Sequence, residues 1–177
     1  MTHTTWIFGY GSLIWHPGFQ PAERLRARLP GWHRSFCMRS LHYRGTEAAP
    51  GLVLALDAAA GAVCNGVALA VPEAETAEVL AALRARELTA SAYVERSLPL
   101  HLEDGREVAA ISYVIDRAHP LYCGLSLEAQ AEIIARAAGE RGANADYLFN
   151  TAAHLAELGL ADADLDQLAT RVRQLLR

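Results

Sequence analysis

The sequence predicts an α+β protein, with a strand-rich first two-thirds that contains one helix and a helical remainder. Short β-prone runs separated by turn residues occupy most of the chain up to Ile115. The stretch after Pro72 has helical spacing, and from Ser126 onward apolar residues recur at i, i+3 and i+4. Because neighbouring strands are joined mostly by hairpins, a sheet of this kind can close into a small barrel on which the helices pack.

The predicted strands are bounded by glycine, proline and polar turn residues. The first ends at Gly9, and prolines then keep the chain irregular. "AAAG" is expected to reverse the chain within one hairpin, and Asp104-Gly105 is the turn signal of a later one. In order, the predicted strands are Thr5 to Phe8, Trp32 to Ser40, Leu52 to Asp57, Ala62 to Val71, and two segments, "AYVERSLPLHL" and "REVAAISYVI", joined at the later turn.

The predicted helices have recognisable first turns. Pro72 and Glu73 place a proline and an acid at the start of the first helix, which is expected to run to about Glu87 or Leu88. Ser126 is the expected cap of the second helix, which ends at Gly139 or Gly142. "NADYLFNTAAHLAELG" and "DLDQLATRVRQLLR" follow as two further helices.

Length and composition indicate a folded domain and argue against several classes of partner. The 177 residues suit one domain, expected over 1–177, and 52% hydrophobic residues exclude a disordered or fibrous chain. A net charge of −4 without a basic stripe argues against nucleic acid as the partner. Neither a signal peptide nor a spanning run is seen, and the three cysteines form no CxxC pair, so we expect a cytoplasmic protein without membrane association.

The segment "FGYGSLIW", residues 8–15, is glycine-rich and apolar at once. An ordinary connecting turn would be polar, so we expect this loop to approach a ligand closely while staying half buried. A dinucleotide loop is disfavoured, because Ile14 stands where the third glycine of GxGxxG belongs and no helix obviously follows. Consecutive backbone N–H groups in such a loop can still form an anion-binding concavity that suits a carboxylate.

Nucleophilic and metal-dependent chemistry receive little support. Ser12 is a potential nucleophile, but the GxSxG motif is absent and no local histidine or aspartate supports a triad. The seven histidines are scattered without an HxxxH or HExxH arrangement, so no metal site is predicted.

Glu87 is the acid that does not fit its surroundings. It lies four residues beyond Leu83 on the apolar stripe of the helix after Pro72. A carboxylate at that position must be paired, protonated or functional, because its unpaired burial is costly. The alternative is that the helix frays and Glu87 caps it or pairs with Arg84 or Arg86. The remaining stripe residues are Val79 and Leu80.

Two further residues are open to two interpretations. Arg44, in the glycine- and proline-punctuated loop "YRGTEAAPG", is either a clamp for a substrate carboxylate or an ordinary surface arginine. Tyr147 lies among helix-face aromatics and by itself would be assigned to the core.

Taken together and in this order, "FGYGSLIW", "YRGTEAAPG", "LRARE" and "NADYLFNTAAHLAELG" resemble the hallmarks of the ChaC family of γ-glutamylcyclotransferases, bacterial-type members most closely. The resemblance covers nearly the whole chain and implies a small, partly closed β-barrel with packed helices. It also implies cleavage of glutathione to 5-oxoproline and cysteinylglycine, without cofactor or metal. The chain departs from many relatives at "TASAY", where they carry a glycine pair, and at Leu52, where some carry arginine.

The resemblance also implies the site residues. Glu87 corresponds to the family's catalytic glutamate, a general base and acid. The opening loop would hold the small-molecule substrate through its backbone N–H groups, and Arg44 and Tyr147 would contact its polar ends. The alternatives are a cyclotransferase for other γ-glutamyl amines or peptides, and a non-catalytic accessory protein. The loop residues concerned are Gly9, Tyr10, Gly11, Ser12, Leu13 and Ile14, with both glycines expected to permit close approach and unusual dihedral angles.

Overall fold

Five strands close into a barrel in the computed structural model, which describes residues 3–88 and 92–177. Around the barrel they follow the order β1-β3-β2-β4-β5. The strands are β1 (Thr5–Gly9), β2 (Glu23–Ser40), β3 (Gly51–Val71), β4 (Tyr93–Leu102) and β5 (Glu107–Ile115). The predicted α+β class and barrel are therefore confirmed.

The chain divides into two compact units. The first contains residues up to 34 together with 56–116, and the second contains 35–55 and 117–177. The helices are α1 (Ser12–Trp15), α2 (Thr76–Leu88), α3 (Leu127–Arg136), α4 (Asn144–Glu157) and α5 (Ala163–Leu175), and two short strands, β6 (Ala138–Gly139) and β7 (Gly142–Ala143), pair with each other. The single domain expected over residues 1–177 stays a prediction.

Strand pairing in the first unit fixes where β1 ends. β1 runs antiparallel to β3 and parallel to β5, with Ile7 opposite both Leu69 and Ile111. β4 and β5 form the predicted hairpin, and the glycine of its turn, Gly105, has a φ of +93°. The hairpin turn at Asp104-Gly105 is thus confirmed.

Alternating residues of these strands fill the barrel with apolar side chains. Because successive side chains on a strand point to opposite faces, every second residue reaches the interior. The interior cluster consists of Trp6, Phe8, Tyr10, Ala27, Leu29, Leu56, Cys64, Ala68, Ala70, Leu100, Leu102, Ala110 and Val114. Phe8 and Tyr10, near and just after the end of β1, are therefore packed into this core.

The second unit contains the three long helices of the chain's last third. Its helices pack on one another through apolar stripes that bury Ile134, Leu148 and Leu168. Ser126 caps α3 as predicted, because its hydroxyl accepts a hydrogen bond from the Ala129 N–H at 3.2 Å.

Two strand predictions are wrong, for the same physical reason. β3 runs unbroken through "AAAG", where a turn was expected, and β2 begins at Glu23 instead of Trp32. Gly61 and Gly31 lie within these strands with φ of +79° and +84°. A glycine in the left-handed region can bend a strand without ending it, so turn residues here mark bends.

No helix within residues 3–88 and 92–177 is long and apolar enough to span a membrane. Thr89 to Ser91, the first part of the departure noted at "TASAY", lie outside the described residues.

Candidate active site

Glu87 lies at the end of α2, where the apolar stripe of that helix reaches its last turn. Val79 and Leu83 are buried, and the Glu87 side chain is only 13% exposed. Burial raises the pKa of the Glu87 carboxyl above its usual value, while the charge of Arg86, whose Nε lies 3.4 Å from Oε1, acts in the opposite direction. The predicted burial of Glu87 on the stripe is confirmed.

Arg86 connects this end of α2 to the segment that follows β1. Its Nη2 donates to the Ser12 hydroxyl at 3.0 Å, and its Nη1 donates to the His16 carbonyl. The same guanidinium lies 3.4 Å from the Glu87 carboxylate, so it links that carboxylate to the segment containing "GYGSLIW". We call residues 9–16 the glycine loop.

The glycine loop turns its apolar side chains inward and its serine outward. Tyr10, Leu13 and Ile14 are buried, whereas Ser12 is exposed. The loop is therefore half buried, as its mixed composition predicts. Only the backbone of its buried residues can face a ligand.

Two arginines fix the main chain of the loop. The buried Arg34 donates from Nε to the Tyr10 carbonyl at 3.1 Å, and Arg24 donates from Nη1 to the Ile14 carbonyl at 2.8 Å. The Ile14 N–H is also engaged, donating to the Gly11 carbonyl at 2.9 Å. Because the N–H and the carbonyl of Ile14 are both hydrogen-bonded within the protein, this residue stabilises the loop conformation and has no main-chain group left for a ligand.

Three successive N–H groups of the loop have no acceptor among residues 3–88 and 92–177. The N–H groups of Gly11, Ser12 and Leu13 make no hydrogen bond to any part of the chain that the structure describes. Such groups at the start of a helical turn have no acceptor within the turn itself. They are donors that an anionic or carbonyl oxygen can use.

The two glycines of the loop serve different purposes. A Cβ placed on Gly9 would lie 3.2 Å from the Val67 side chain and 3.4 Å from Ile14, whereas one on Gly11 meets no atom within 4 Å in the described chain. Neither glycine has a positive φ, so the unusual dihedral angles expected of them are limited to the Gly11 cap, at φ −148° and ψ −123°. At Gly11 a side chain would extend into open space, where only a ligand can meet it.

A second carboxylate near Glu87 was missed by the sequence analysis. Glu95 on β4 accepts from both Nε and Nη2 of Arg84, at 3.1 and 3.2 Å, and from the Tyr113 hydroxyl at 3.0 Å. The hydrogen bond from Arg84 lowers the pKa of Glu95, while burial and then Glu95 raise the pKa of Tyr113, to which the charge of Glu87 also contributes. The two carboxyls thus have pKa values shifted in opposite directions, an arrangement typical of acid–base sites.

In the second unit the structure brings Arg44 and Tyr147 together. The Arg44 guanidinium lies 5.4 Å above the centre of the Tyr147 ring and donates to the Ala143 carbonyl at 3.2 Å. The Tyr147 hydroxyl accepts from the Leu54 N–H at 3.4 Å, and burial raises its pKa. Phe36 packs edge-on against the same ring. Arg44 is therefore half buried and held, unlike a free surface arginine.

Comparison with known proteins gives the family. A model of the ChaC-like protein family matches residues 5–175. A glutathione-specific gamma-glutamylcyclotransferase of Escherichia coli is 41% identical over 97% of this chain and 74% of its own length. Gamma-glutamylcyclotransferase 2-3 of Arabidopsis thaliana is 35% identical over 97% of this chain and 89% of its own length.

A solved structure shares the fold. The crystal structure of a yeast gamma-glutamyl cyclotransferase specific to glutathione matches 99% of this chain and 98% of its own, with a TM-score of 0.85 at 23% identity. With the family model covering nearly all of the sequence, the conclusion is that this chain belongs to the ChaC-like family.

Proposed function

We propose that this protein cleaves glutathione to 5-oxoproline and cysteinylglycine. The proposal rests on one observation at the end of α2. Glu87, a carboxyl of raised pKa that can transfer protons, is linked through Arg86 to a loop whose N–H donors are unused within the described chain. Relatives of 41% and 30% identity, from Escherichia coli and Schizosaccharomyces pombe, carry the name glutathione-specific gamma-glutamylcyclotransferase.

In the proposed reaction the substrate supplies its own nucleophile. The α-amine of the glutamyl group attacks the γ-carbonyl carbon, the new C–N bond closes a five-membered ring, and the bond to the cysteinyl nitrogen breaks. The amine is largely protonated near neutral pH and must lose its protons to react. Glu87 takes up the proton that the ammonium loses to become nucleophilic and delivers it to the departing nitrogen. After attack the ring nitrogen loses a second proton to water, which in turn protonates the released amine, so protons and bonds balance.

The pKa of Glu87 suits this role because the same group must accept and donate. An ordinary glutamate is a weak base at neutral pH, and burial makes the Glu87 carboxylate a better one. The base is lost when Glu87 is protonated, so kcat/KM should fall at acidic pH with an apparent pKa above that of an ordinary glutamate.

The glycine loop would hold the glutamyl unit folded back on itself. The N–H groups of Gly11, Ser12 and Leu13 would donate to the α-carboxylate or to the oxyanion that develops on the γ-carbonyl, with Tyr10 proposed as part of the same binding segment. Gly9 lets the main chain pack closely, and the Ser12 hydroxyl acts as a hydrogen-bonding group. Holding the amine near the carbonyl replaces an open chain by a near-attack geometry.

Two predicted contacts and the partner class complete the proposal. Arg44 and Tyr147, in the second unit, stay predicted contacts to polar ends of the substrate, a role that suits a guanidinium because it matches a carboxylate in geometry and charge. The net charge of −4 supports a small molecule over a nucleic acid as the partner. A cytoplasmic location stays a prediction.

Replacing the base tests the proposal. Glu87→Gln should fold and lose about 10²- to 10⁴-fold in kcat, the range for removal of a positioned acid–base group. Formation of 5-oxoproline from glutathione is followed by mass spectrometry, with γ-glutamyl-alanine as the competing substrate. Because the folded pKa of Glu87 is raised, its ionisation destabilises the fold as pH rises, so the variant should be at least as stable as wild type at neutral pH.

The matched control is Glu78→Gln, which removes an exposed carboxylate from the first turn of the same helix. It should keep wild-type turnover. Full activity of Glu87→Gln would show that Glu87 is not the catalytic base. Faster turnover of γ-glutamyl-alanine than of glutathione by the wild-type protein would show that glutathione is not the preferred substrate.

A further inference from the structure

Arg86 occupies the junction between the carboxylate of α2 and the glycine loop. We propose that Arg86 is a positioning residue, whose guanidinium sets the distance and orientation between the loop's N–H donors and the Glu87 carboxyl. This inference rests on the proposed function for its consequence in catalysis. The contact geometry that carries it does not depend on any substrate.

The guanidinium holds both ends of the short helix α1. Ser12 is the first residue of α1, and His16 follows its last residue; Arg86 donates to the hydroxyl of the first and the carbonyl of the second. It also lies 3.4 Å from the Glu87 carboxylate. Arginine can serve these acceptors together because its donors form a rigid planar fork, whereas a lysine ammonium is a single point on a flexible stem.

The helix α1 needs such an external attachment. Four residues form one turn, and an isolated turn is not stable because nucleation costs more than its few hydrogen bonds return. Burial of Leu13 and Ile14 and the Arg24 contact to the Ile14 carbonyl hold the inner side of the turn. Arg86 holds the outer side, at Ser12, next to the unused N–H groups.

Loss of Arg86 should therefore misplace the donors without unfolding the unit. The buried side chains of the loop remain in place, and the Arg86 side chain is 36% exposed, so little apolar contact is lost. A displacement of about 1 Å in a positioned group can cost about 10²-fold in rate. The expected defect is in substrate binding and reactivity more than in stability.

Arg86 also places a positive charge beside Glu87, with its Nε 3.4 Å from Oε1. Among the described residues, the charge of Glu87 also acts on the Tyr113 hydroxyl of β5, to which Glu95 and its partner Arg84 are bound. Removing Arg86 leaves the pKa of Glu87 with the raising effect of burial alone. The acidic limb of kcat/KM should then move to higher pH.

The test compares Arg86→Met, Arg86→Lys and Arg26→Met. Arg86→Met should lower kcat/KM for glutathione about 10- to 100-fold, mostly through KM, and should shift the acidic limb to higher pH. Arg86→Lys keeps the charge but not the fork, so it should restore the limb and recover KM only in part. Arg26, which pairs with Glu103 at 3.2 Å, is an exposed arginine of the same unit and serves as the control.

Amide exchange by NMR provides a readout that needs no turnover. The N–H groups of Ile14 and His16 donate to the Gly11 and Ser12 carbonyls within the turn, so their exchange reports its opening. Both should exchange at least about 5-fold faster in Arg86→Met and at the wild-type rate in Arg26→Met.

The outcomes separate the two proposals. Unchanged exchange and unchanged KM in Arg86→Met would overturn the positioning role even if wild type degrades glutathione. Faster exchange in a protein whose wild type leaves glutathione intact would uphold the attachment of the loop and overturn the proposed function instead.

Discussion

The glycine loop of the first unit and the loop around Arg44 in the second each contain two glycines in a short stretch, but their backbones are used differently. The Arg44 loop, residues 41–51, has Gly45 and Gly51 packed against main chain, while Gly11 of the glycine loop faces open space within the described chain. Gly45 and Gly51 are therefore needed for close packing of the main chain, whereas Gly11 leaves space that a ligand can occupy.

The Arg44 loop has almost no space around its glycines. A Cβ on Gly45 would lie 2.0 Å from the Gly51 nitrogen and 2.6 Å from the Ser40 carbonyl oxygen. The loop's hydrogen-bonding groups are also engaged, since the Arg44 N–H donates to the Ser40 hydroxyl at 3.0 Å. Next to the loop, the buried Asn144 amide both accepts from the Leu52 N–H and donates to the Leu52 carbonyl, each at 2.8 Å.

The difference shows what each loop is built to do. In the Arg44 loop the donors and the space are both used by the protein, which holds the Arg44 guanidinium over Tyr147. In the glycine loop the donors of Gly11 to Leu13 stay unused within the described chain, beside a carboxyl of raised pKa. The Arg44 loop therefore presents a side chain, whereas the glycine loop presents main-chain N–H groups that are unused within the described chain.

The largest expected effect on stability is at Gly45. Gly45→Ala should lower the free energy of unfolding by at least about 3 kcal/mol, because the three atoms nearest to the new Cβ all belong to the main chain and cannot rotate away. Denaturant unfolding followed by circular dichroism measures the change.

Gly124→Ala provides the matched control in the same unit. Its new Cβ would first meet the Tyr122 hydroxyl, at 3.2 Å, which is the far end of a side chain. We expect a cost below about 1 kcal/mol. Equal effects at the two positions would show that the packing of the Arg44 loop is not what makes Gly45 necessary.

A smaller loss is expected at Asn144. Asn144→Ala removes two hydrogen bonds to the buried main chain of Leu52, each with a net contribution of about 0.5–1.5 kcal/mol, so unfolding should become easier by about 1–3 kcal/mol. Asn150→Ala, at an exposed position of the same helix, should be nearly neutral. A neutral Asn144→Ala would mean that water or a shifted main chain replaces the amide.

How far these features were predictable depends on the sequence distance between the partners. The burial of Glu87 follows from spacing within one helix, and the half-buried glycine loop from its own composition, so both were predicted. Arg86 and Ser12 are 74 residues apart, and Asn144 and Leu52 are 92 apart. No local pattern indicates such pairs, because they depend on how distant segments meet.

The strand errors have a related origin. The segments around Gly31 and Gly61 have the composition of turns, and a short stretch of sequence does not distinguish a bend within a strand from a turn between two strands. Pairing along the full length of a strand, which depends on the partner strand, decides between them. Apolar residues continue on both sides of "AAAG", a pattern that is compatible both with one long strand and with two strands of a hairpin.

The smallest effect on stability, with a large effect on function, is expected at Gly11. Gly11→Val adds a side chain where no atom of the described chain lies within 4 Å, so the only expected cost is that of a β-branched residue at this helix cap, and the melting temperature should fall by less than about 4 °C. If the N–H groups of Gly11 to Leu13 bind the substrate, the same side chain should raise KM for glutathione at least about 10-fold. Gly9→Val is the paired variant, since its side chain would collide with Val67 and Ile14 and should lower stability. A Gly11→Val protein with wild-type KM, or one as unstable as Gly9→Val, would show that the open side of the loop does not receive the substrate.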